Sequence, residues 1–235
     1  QKHQAEIWQD FIKNRKAMVS KKGPFANRSY VILPTKNKSR LAKLLKVLDL
    51  QGIRYFETSK DQTVKTATDH LGRELKKASL PKGSIVIQNR QYEAPLIAAI
   101  MEFDAKIQDS VLLEERQKTL RDGSSVMYDN TAWNVSMMFG LPALEVPEHL
   151  TSNLIDSTFN YEGSVSNDDN AIAYLVDGAT DASLAFAARL MEQGVKVRVL
   201  DKKGLFNEKG FSRGSVVVAM HDNPMDKSKL LKLIT

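Results

Sequence analysis

The sequence predicts an α/β fold with a mostly parallel sheet and helices on both of its faces. Short apolar segments without polar alternation, at residues 30–33, 53–56 and 85–87, predict strands covered on both sides. Segments with apolar residues at helical spacing lie between them, and strands that alternate with helices are typical of a parallel sheet. A similar succession recurs after a central stretch at 125–140.

The first element is an amphipathic helix at about residues 5–18, where Ile7, Phe11 and Ile12 recur at helical spacing. Gly23 and Pro24 then interrupt the helical pattern, because proline disfavours a helical conformation in the residue before it. We therefore predict a connector helix and linker over residues 1–26, followed by one α/β domain over residues 27–235.

The first half of that domain, about residues 27–124, begins with a predicted βαβ unit. Its helix carries Leu41, Leu44, Leu45 and Leu48 on one stripe between the strands at 30–33 and 53–56. A second helix is expected at about 66–78, before the strand at 85–87.

The second half, about residues 170–235, repeats this order. Strands are predicted at 172–176, 195–199 and 213–218, with a helix at 184–191, and Gly194 and Gly214 correspond to Gly52 and Gly83. This similarity predicts an internal βαβ pseudo-repeat. The alternative interpretation is chance similarity, because buried strands resemble one another in sequence.

The central stretch at 125–140 connects the two halves. It predicts a short strand that ends at Tyr128, then Asp129 as the N-cap of a helix that carries Trp133. Apolar residues on several sides of this helix indicate a segment packed between layers, which ends at Gly140 and Pro142.

Charge is distributed unevenly along the 235 residues, although the formal net charge is only +6. Residues 1–86 contain 19 Lys and Arg against 7 Asp and Glu, a net charge of +12, whereas the remainder has 15 against 21, or −6. This basic segment is interpreted either as solvated helix faces or as an electrostatic surface for nucleic acid, an anionic membrane or an acidic partner domain. No nucleic-acid-binding motif is present, so no nucleic-acid partner is expected.

The sequence also bounds the cellular context. No apolar run approaches the roughly 20 residues that span a bilayer, and the first residues have no signal-peptide profile. Cysteine is absent, which excludes disulfides and thiolate metal ligands. Because the chain does not begin with methionine, we expect a processed protein or a piece of a longer one.

Several motifs together resemble the region that follows the catalytic domain in large bacterial zinc carboxypeptidase-like proteins of the carboxypeptidase A type. They are the strand at 30–33, the leucine helix, residues 51–53, 80–87 and Gln91, then Tyr128 and Asp129 with 131–133, and 138–140. The resemblance implies a class I glutamine amidotransferase-like (flavodoxin-like) fold and a secreted or periplasmic location. It also implies a parent protein that hydrolyses peptide bonds, with zinc in a catalytic domain outside this chain.

Catalytic apparatus is not expected in the chain itself. An amidotransferase would need a nucleophilic cysteine, and the serines that follow glycine lack the Gly-x-Ser-x-Gly context of a hydrolase. His3 and Glu6 have the His-x-x-Glu spacing of a zinc site, but they lie at the frayed start of a helix, where two ligands would be held poorly. We therefore expect no cofactor and no metal ligand in this chain.

Polar side chains follow three of the predicted strands. Because the carboxyl ends of parallel strands form a crevice, they are the candidate binding residues. They are Gln88, Arg90 and Gln91 after one strand, Tyr128 and Asp129 after another, His221 and Asn223 after the last, and Trp133 beside them. The competing interpretation is loop solvation, helix capping and, for Trp133, core packing. An arginine here could bind a carboxylate or phosphate through two parallel hydrogen bonds.

Two main functions follow. The first is a non-catalytic accessory domain that docks to the catalytic domain of a zinc metallocarboxypeptidase-like protein or helps to present its peptide substrate. The second is a free-standing binding module for a small anionic ligand or a cell-envelope polymer. A hydrolase with an unrecognised site is a third, weaker hypothesis.

Overall fold

A computed structural model describes residues 3–103, 107–125, 134–166 and 170–234. The chain forms two compact units: the first comprises residues 1–34 and 44–158, and the second comprises 35–43 and 159–235. Each unit is built around its own antiparallel sheet.

The first unit contains five helices and seven strands among its described residues. In chain order they are α1 Gln4–Met18, β1 Ser29–Ile32, α2 Lys38–Leu50 (whose first turns count with the second unit), β2 Phe56–Thr58, β3 Gln62–Asp69, β4 Glu74–Leu80, β5 Ile85–Gln88, α3 Ala94–Met101, α4 Asp109–Asp122, α5 Val135–Met138, β6 Ala143–Val146 and β7 Leu154–Asp156. The sheet order is β4-β3-β6-β1-β5-β2-β7.

The second unit has a smaller sheet of order β8-β12-β9 and a separate hairpin, β10-β11. Its elements are β8 Ala173–Val176, α6 Ala182–Glu192, β9 Arg198–Val199, β10 Gly204–Phe206, β11 Lys209–Phe211, β12 Val216–Ala219, a 3-10 turn at Met220–Asp222 and α7 Lys227–Ile234. Its core contains Tyr174, Leu190, Val195, Val218 and Leu230.

The prediction of a mostly parallel, flavodoxin-like sheet with a glutamine amidotransferase-like architecture is wrong. All strand pairings in the described ranges are antiparallel, and β1 pairs in this way with both β5 and β6. The sequence misled because β1 is a central strand that is buried along its whole length. A central strand of an antiparallel sheet then has the same continuous apolar run as a parallel strand.

The prediction that the two strands of each βαβ unit are adjacent parallel neighbours is wrong. In each case another strand lies between the two. β5 lies antiparallel between β1 and β2, and β12 lies antiparallel between β8 and β9. The two units nevertheless share this strand–helix–strand motif with a third strand inserted. The order of elements along the chain therefore resembles a βαβ unit, whereas the pairing of the strands within the sheet does not.

The turn before the inserted strand has the same hydrogen bonds in both units. The Ser84 hydroxyl donates to the carbonyl of Pro81 at 2.6 Å, and the Ser215 hydroxyl donates to the carbonyl of Ser212 at 2.6 Å. The preceding glycines, Gly83 and Gly214, both have positive φ angles, +82° and +87°. Glycine adopts this conformation without the steric cost that other residues have, which explains why the Gly-Ser pair recurs.

The helix predicted at residues 66–78 is instead the β3–β4 hairpin. Asp69 closes its turn, because its carboxylate accepts the backbone N–H groups of Leu71 and Arg73 at 2.9 and 3.0 Å. The hairpin buries Val64 and Ala67, which are three residues apart. This spacing imitates helical periodicity.

A close backbone approach in the second unit provides a stability prediction. A Cβ atom at Gly178 would lie 2.4 Å from the carbonyl carbon of Gly214, which is a backbone atom and has no rotamer to move. We expect Gly178→Ala to lower the free energy of unfolding by about 2 kcal/mol. Gly163→Ala is the control, because no atom lies within 4 Å of its Cβ position. Equal urea midpoints for the two variants would contradict the packing described.

Candidate anion-binding site

An open pocket of about 600 Å³ lies where the chain leaves β5, and we call it the Arg90 pocket. Its walls include Lys21, Asn27, Arg90, Glu148, His149 and Thr151. They come from the segment after α1, the end of β5 and the segment after β6. All belong to the first unit.

Hydrogen bonds from two strands fix the segment that carries His149. The Ser29 hydroxyl in β1 donates to the carbonyl of Glu148 at 2.7 Å and accepts the N–H of Leu150 at 3.1 Å. The side-chain amide of Gln88 in β5 donates to the carbonyl of Leu150. The sheet therefore holds the backbone on both sides of His149.

Arg90 is a partly buried cation without a carboxylate partner among the described residues. One terminal nitrogen donates to the carbonyl of Ala26 at 3.0 Å, and the buried Nε has no hydrogen-bond partner in the described structure. In the described structure, six of the ten other arginines form ion pairs, in Arg15–Glu93, Arg28–Glu145, Arg40–Asp181, Arg73–Asp69, Arg121–Asp122 and Arg198–Asp222. A guanidinium withdrawn from water without a counter-charge is stabilised by an anion from outside.

The imidazole of His149 is a second nitrogen-containing side chain in the pocket. Its Nδ1 is buried and has no partner in the described part of the chain. Burial, and then the positive charge of Arg90, lower the pKa of His149 below its ordinary value of 6.5. A bound anion would offset both effects, so the occupied pocket would favour the imidazolium form.

A second pocket, of about 470 Å³, adjoins the first, and we call it the Phe56 pocket. It is lined by Phe56, Gln88, Thr151, Leu154, Ile155 and Asp156. Thr151 borders both pockets, and Gln88 and Arg90 are two residues apart at the end of β5. Two residues of chain span at most about 7 Å, which accounts for the proximity of the pockets.

The structure places the predicted site residues in different surroundings. Gln88 and Arg90 line the two neighbouring pockets, as just described. Gln91 is structural: its amide accepts the N–H of Arg54 at 2.8 Å and donates to the carbonyls of Arg54 and Gln88 at 2.8 and 2.7 Å. Tyr128, Asp129 and Trp133 lie outside the described residues, as does the predicted Asp129 cap.

The remaining predicted residues, His221 and Asn223, belong to the second unit. The His221 side chain is 74% exposed and lies 3.3 Å from the carboxylate of Asp222. Asn223 is buried, and its amide bonds to the N–H and carbonyl of Lys196 and to the carbonyl of Ala219. All of its amide atoms therefore act within the fold, and Asn223 is a structural residue.

Sequence reasoning did not include Lys21 and His149 in the site. Pro147 was the indication of this segment in the sequence. It follows the mostly apolar strand Ala143–Val146, and polar side chains come directly after it. The sequence predicts no strand at β6, so nothing in it indicates that residues 147–151 lie beside the end of β5.

A serine–histidine pair that the sequence did not reveal is present in the first unit. His70 Nε2 lies 2.7 Å from the Ser136 hydroxyl, which donates its own proton to the Oδ1 of Asn134. The amide orientation is fixed because the Nδ2 of Asn134 donates to the carbonyls of Met101 and Glu102. Nε2 of His70 is therefore the donor to Ser136 and does not act as a base toward it. Ser136 is also fully buried, so the pair is structural.

At the start of α1, His3 Nδ1 lies 2.8 Å from a carboxylate oxygen of Glu6, and both side chains are largely exposed. Within the described ranges, no group of three or more His, Asp or Glu residues is arranged to hold a metal ion. None of the helices described is long and apolar enough to cross a bilayer.

Two half-buried histidines, His70 and His149, predict a pH dependence of stability. Desolvation lowers the pKa of His70 and of His149, so folding favours their neutral forms. This stabilisation is complete above the ordinary value of 6.5 and is lost as pH falls toward the lower folded values. We expect the free energy of unfolding to decrease as pH falls below 6.5.

The measurement is a series of urea denaturations between pH 7.5 and 4.5, above the range in which the aspartates of lowered pKa become protonated. His70→Gln keeps a donor toward Ser136 and should reduce the slope, whereas His3→Gln replaces an exposed imidazole and is the control. A slope that is the same in wild type and His70→Gln would contradict the assignment of His70.

A scan against models of protein families, a search of curated proteins and a search of solved structures each found no significant match. Function is therefore inferred from the residues of this chain and their geometry.

Proposed function

We propose that this chain is a non-catalytic binding domain whose Arg90 pocket takes a small anion. The observation that carries the proposal is Arg90, a partly buried guanidinium with no carboxylate partner in the described ranges, beside Lys21 and His149. A planar guanidinium offers parallel N–H donors to a carboxylate or phosphate, and a nearby ammonium adds attraction without fixed geometry.

The charges that line the pocket favour an anion over a cation. Lys21 and Arg90 are positive and Glu148 is negative, so the lining has a net charge of +1 with His149 neutral and +2 with His149 protonated. Glu148 is exposed and partly offsets the attraction. We expect dissociation constants on the order of 1 mM for simple anions, which corresponds to about −4 kcal/mol.

Titration of the whole chain with inorganic phosphate and with acetate tests the proposal. Chemical shifts of the His149 imidazole should move in a saturable manner at constant ionic strength, and protons should be taken up on binding at pH 7. Sodium chloride at the same ionic strength is the control. A response that is linear in concentration, or equal to that in chloride, would exclude a defined anion site.

A second candidate is an accessory domain of a zinc metallocarboxypeptidase-like protein, whose catalytic domain would bind the zinc and hydrolyse peptide bonds. The observation that favours it is α1, which has no buried residue and exposes Ile7, Trp8, Phe11 and Ile12. An exposed apolar patch of this kind is typical of a protein interface. The basic first third would speed docking to an acidic partner surface, and a secreted or periplasmic location would follow from this role.

The two candidates are compatible and have separate tests. For the second, binding to a separately expressed carboxypeptidase catalytic domain should weaken as salt rises and should be reduced by Trp8→Ala. Equilibrium dialysis against zinc and a carboxypeptidase assay should show no stoichiometric metal and no activity for this chain alone. Tight zinc at one ion per chain, with activity lost in His3→Ala, would overturn the non-catalytic assignment.

A further inference from the structure

We infer that the ligand is a carboxylate joined to an apolar group, with its anionic end in the Arg90 pocket and its apolar end in the Phe56 pocket. This inference rests on the proposed function, because it extends the same anion site into the neighbouring pocket. It names the class of ligand as an amphiphilic monoanion, whether its apolar part is an alkyl chain or an aromatic ring.

Continuity between the two pockets is the first argument. The segment from Glu148 to Thr151 lines the Arg90 pocket, and the same chain continues from Thr151 to Asp156 along the Phe56 pocket. On the other wall, Gln88 faces one pocket and Arg90 the other. Two residues of chain span at most about 7 Å, so a ligand of five or six carbon atoms reaches from one pocket into the other.

The second argument is that the side chains lining the two pockets differ in polarity. Three apolar side chains, Phe56, Leu154 and Ile155, line the Phe56 pocket, and Ile155 is 44% exposed. The ionisable side chain in its lining is Asp156, which repels an anion. A ligand with one charged end therefore binds in one orientation only, with its carboxylate toward Arg90 and away from Asp156.

The side-chain amide of Gln88 does not compete for the ligand. It donates to the carbonyl of Leu150 and so is engaged within the protein. The apolar end of the ligand thus displaces water from Phe56, Leu154 and Ile155 without breaking a protein hydrogen bond at Gln88. Burial of each methylene group increases affinity, so affinity should rise with chain length until the Phe56 pocket is filled.

The test compares acetate, hexanoate and phenylacetate as ligands of the full chain at one ionic strength and pH. At least one of the longer carboxylates should bind at least tenfold more tightly than acetate, and phosphate should compete with it. Hexanoate binding more tightly than phenylacetate would indicate an alkyl ligand, and the reverse order would indicate an aryl ligand. Both orders support the inference.

Two variants separate the two pockets. Ile155→Ala should reduce the preference for the longer carboxylate at least threefold while leaving acetate binding unchanged, because Ile155 lines only the Phe56 pocket. Ile172→Ala, which removes a largely exposed isoleucine of the second unit, is the matched control. Unfolding midpoints of both variants verify that the fold is retained.

The outcomes of these binding experiments distinguish the inference of a two-part ligand from the proposed anion site on which it rests. If acetate and phosphate bind but the longer carboxylates bind no more tightly, the anion site stands and the two-part ligand is wrong. If neither acetate nor phosphate binds, the proposed function itself fails. Tight hexanoate binding that phosphate does not displace would place the ligand elsewhere and overturn the inference.

Discussion

Asn134→Ala is expected to lower the free energy of unfolding by about 3 kcal/mol. Asn134 is 1% exposed and caps α5, since its Oδ1 accepts the N–H of Met137 at 3.2 Å and the hydroxyl proton of Ser136. Its Nδ2 also donates to the carbonyl of Met101 at the end of α3. Alanine removes the cap and leaves buried polar groups without partners, each of which costs about 1–3 kcal/mol.

Chemical denaturation with urea measures this effect, with Asn14→Ala as the control. Asn14 lies on the exposed face of α1, where alanine should be neutral or slightly stabilising. Asn134→Asp should be at least as destabilising, because its buried carboxylate cannot donate to the carbonyls of Met101 and Glu102 and is repelled by them. A loss below about 1 kcal/mol for Asn134→Ala would show that the network does not join α3 to α5 in the folded protein.

Arg90→Gln is expected to weaken the binding of phosphate and acetate at least tenfold. Glutamine keeps a polar side chain but removes the positive charge and the parallel donors on which the proposed site depends. A tenfold change in the dissociation constant corresponds to about 1.4 kcal/mol, which lies at the lower limit of the stabilisation expected from a charged hydrogen bond. Titration of the His149 imidazole provides the measurement.

Arg121→Gln is the matched control for charge. It changes the net charge by the same amount, but Arg121 is 71% exposed, pairs only with the adjacent Asp122 among the described ion pairs and does not line the Arg90 pocket. Its anion affinity should equal that of the wild type. If both variants weaken binding equally, the anion responds to the overall charge of the protein and not to a site at Arg90.

The elements with strong local signals were largely predictable. The helices α1, α2 and α6 lie at the predicted positions, since an amphipathic stripe or a turn-forming glycine marks each of them. The strands β1 and β5 also lie within a residue or two of the predicted segments, because their apolar runs leave no other element possible at that length. Strand β2 begins at Phe56, where the predicted strand ended.

The candidate site was predicted only in part. Arg90 was selected because it follows a buried strand, but the crevice argument behind that choice assumed parallel strands, whereas β5 is antiparallel to both of its neighbours. His149 and Lys21 did not, because their place beside Arg90 depends on the hydrogen bonds of Ser29 and Gln88 to a distant segment. Gln91 and Asn223 appeared to be ligand-binding residues in sequence, whereas the structure shows their amides bonded to the backbone.

By itself, the sequence determined local structure: the apolar runs of the buried strands, the leucine stripe of α2, and the glycines that end helices and form the turns before β5 and β12. Only the tertiary structure decided strand direction and neighbours, because a central strand is equally apolar whether its partners run parallel or antiparallel. The placement of β5 between β1 and β2 turned a predicted parallel pair into an antiparallel sheet. The same long-range pairing of β1 with β6 brought His149 to Arg90, which no local pattern in the sequence encodes.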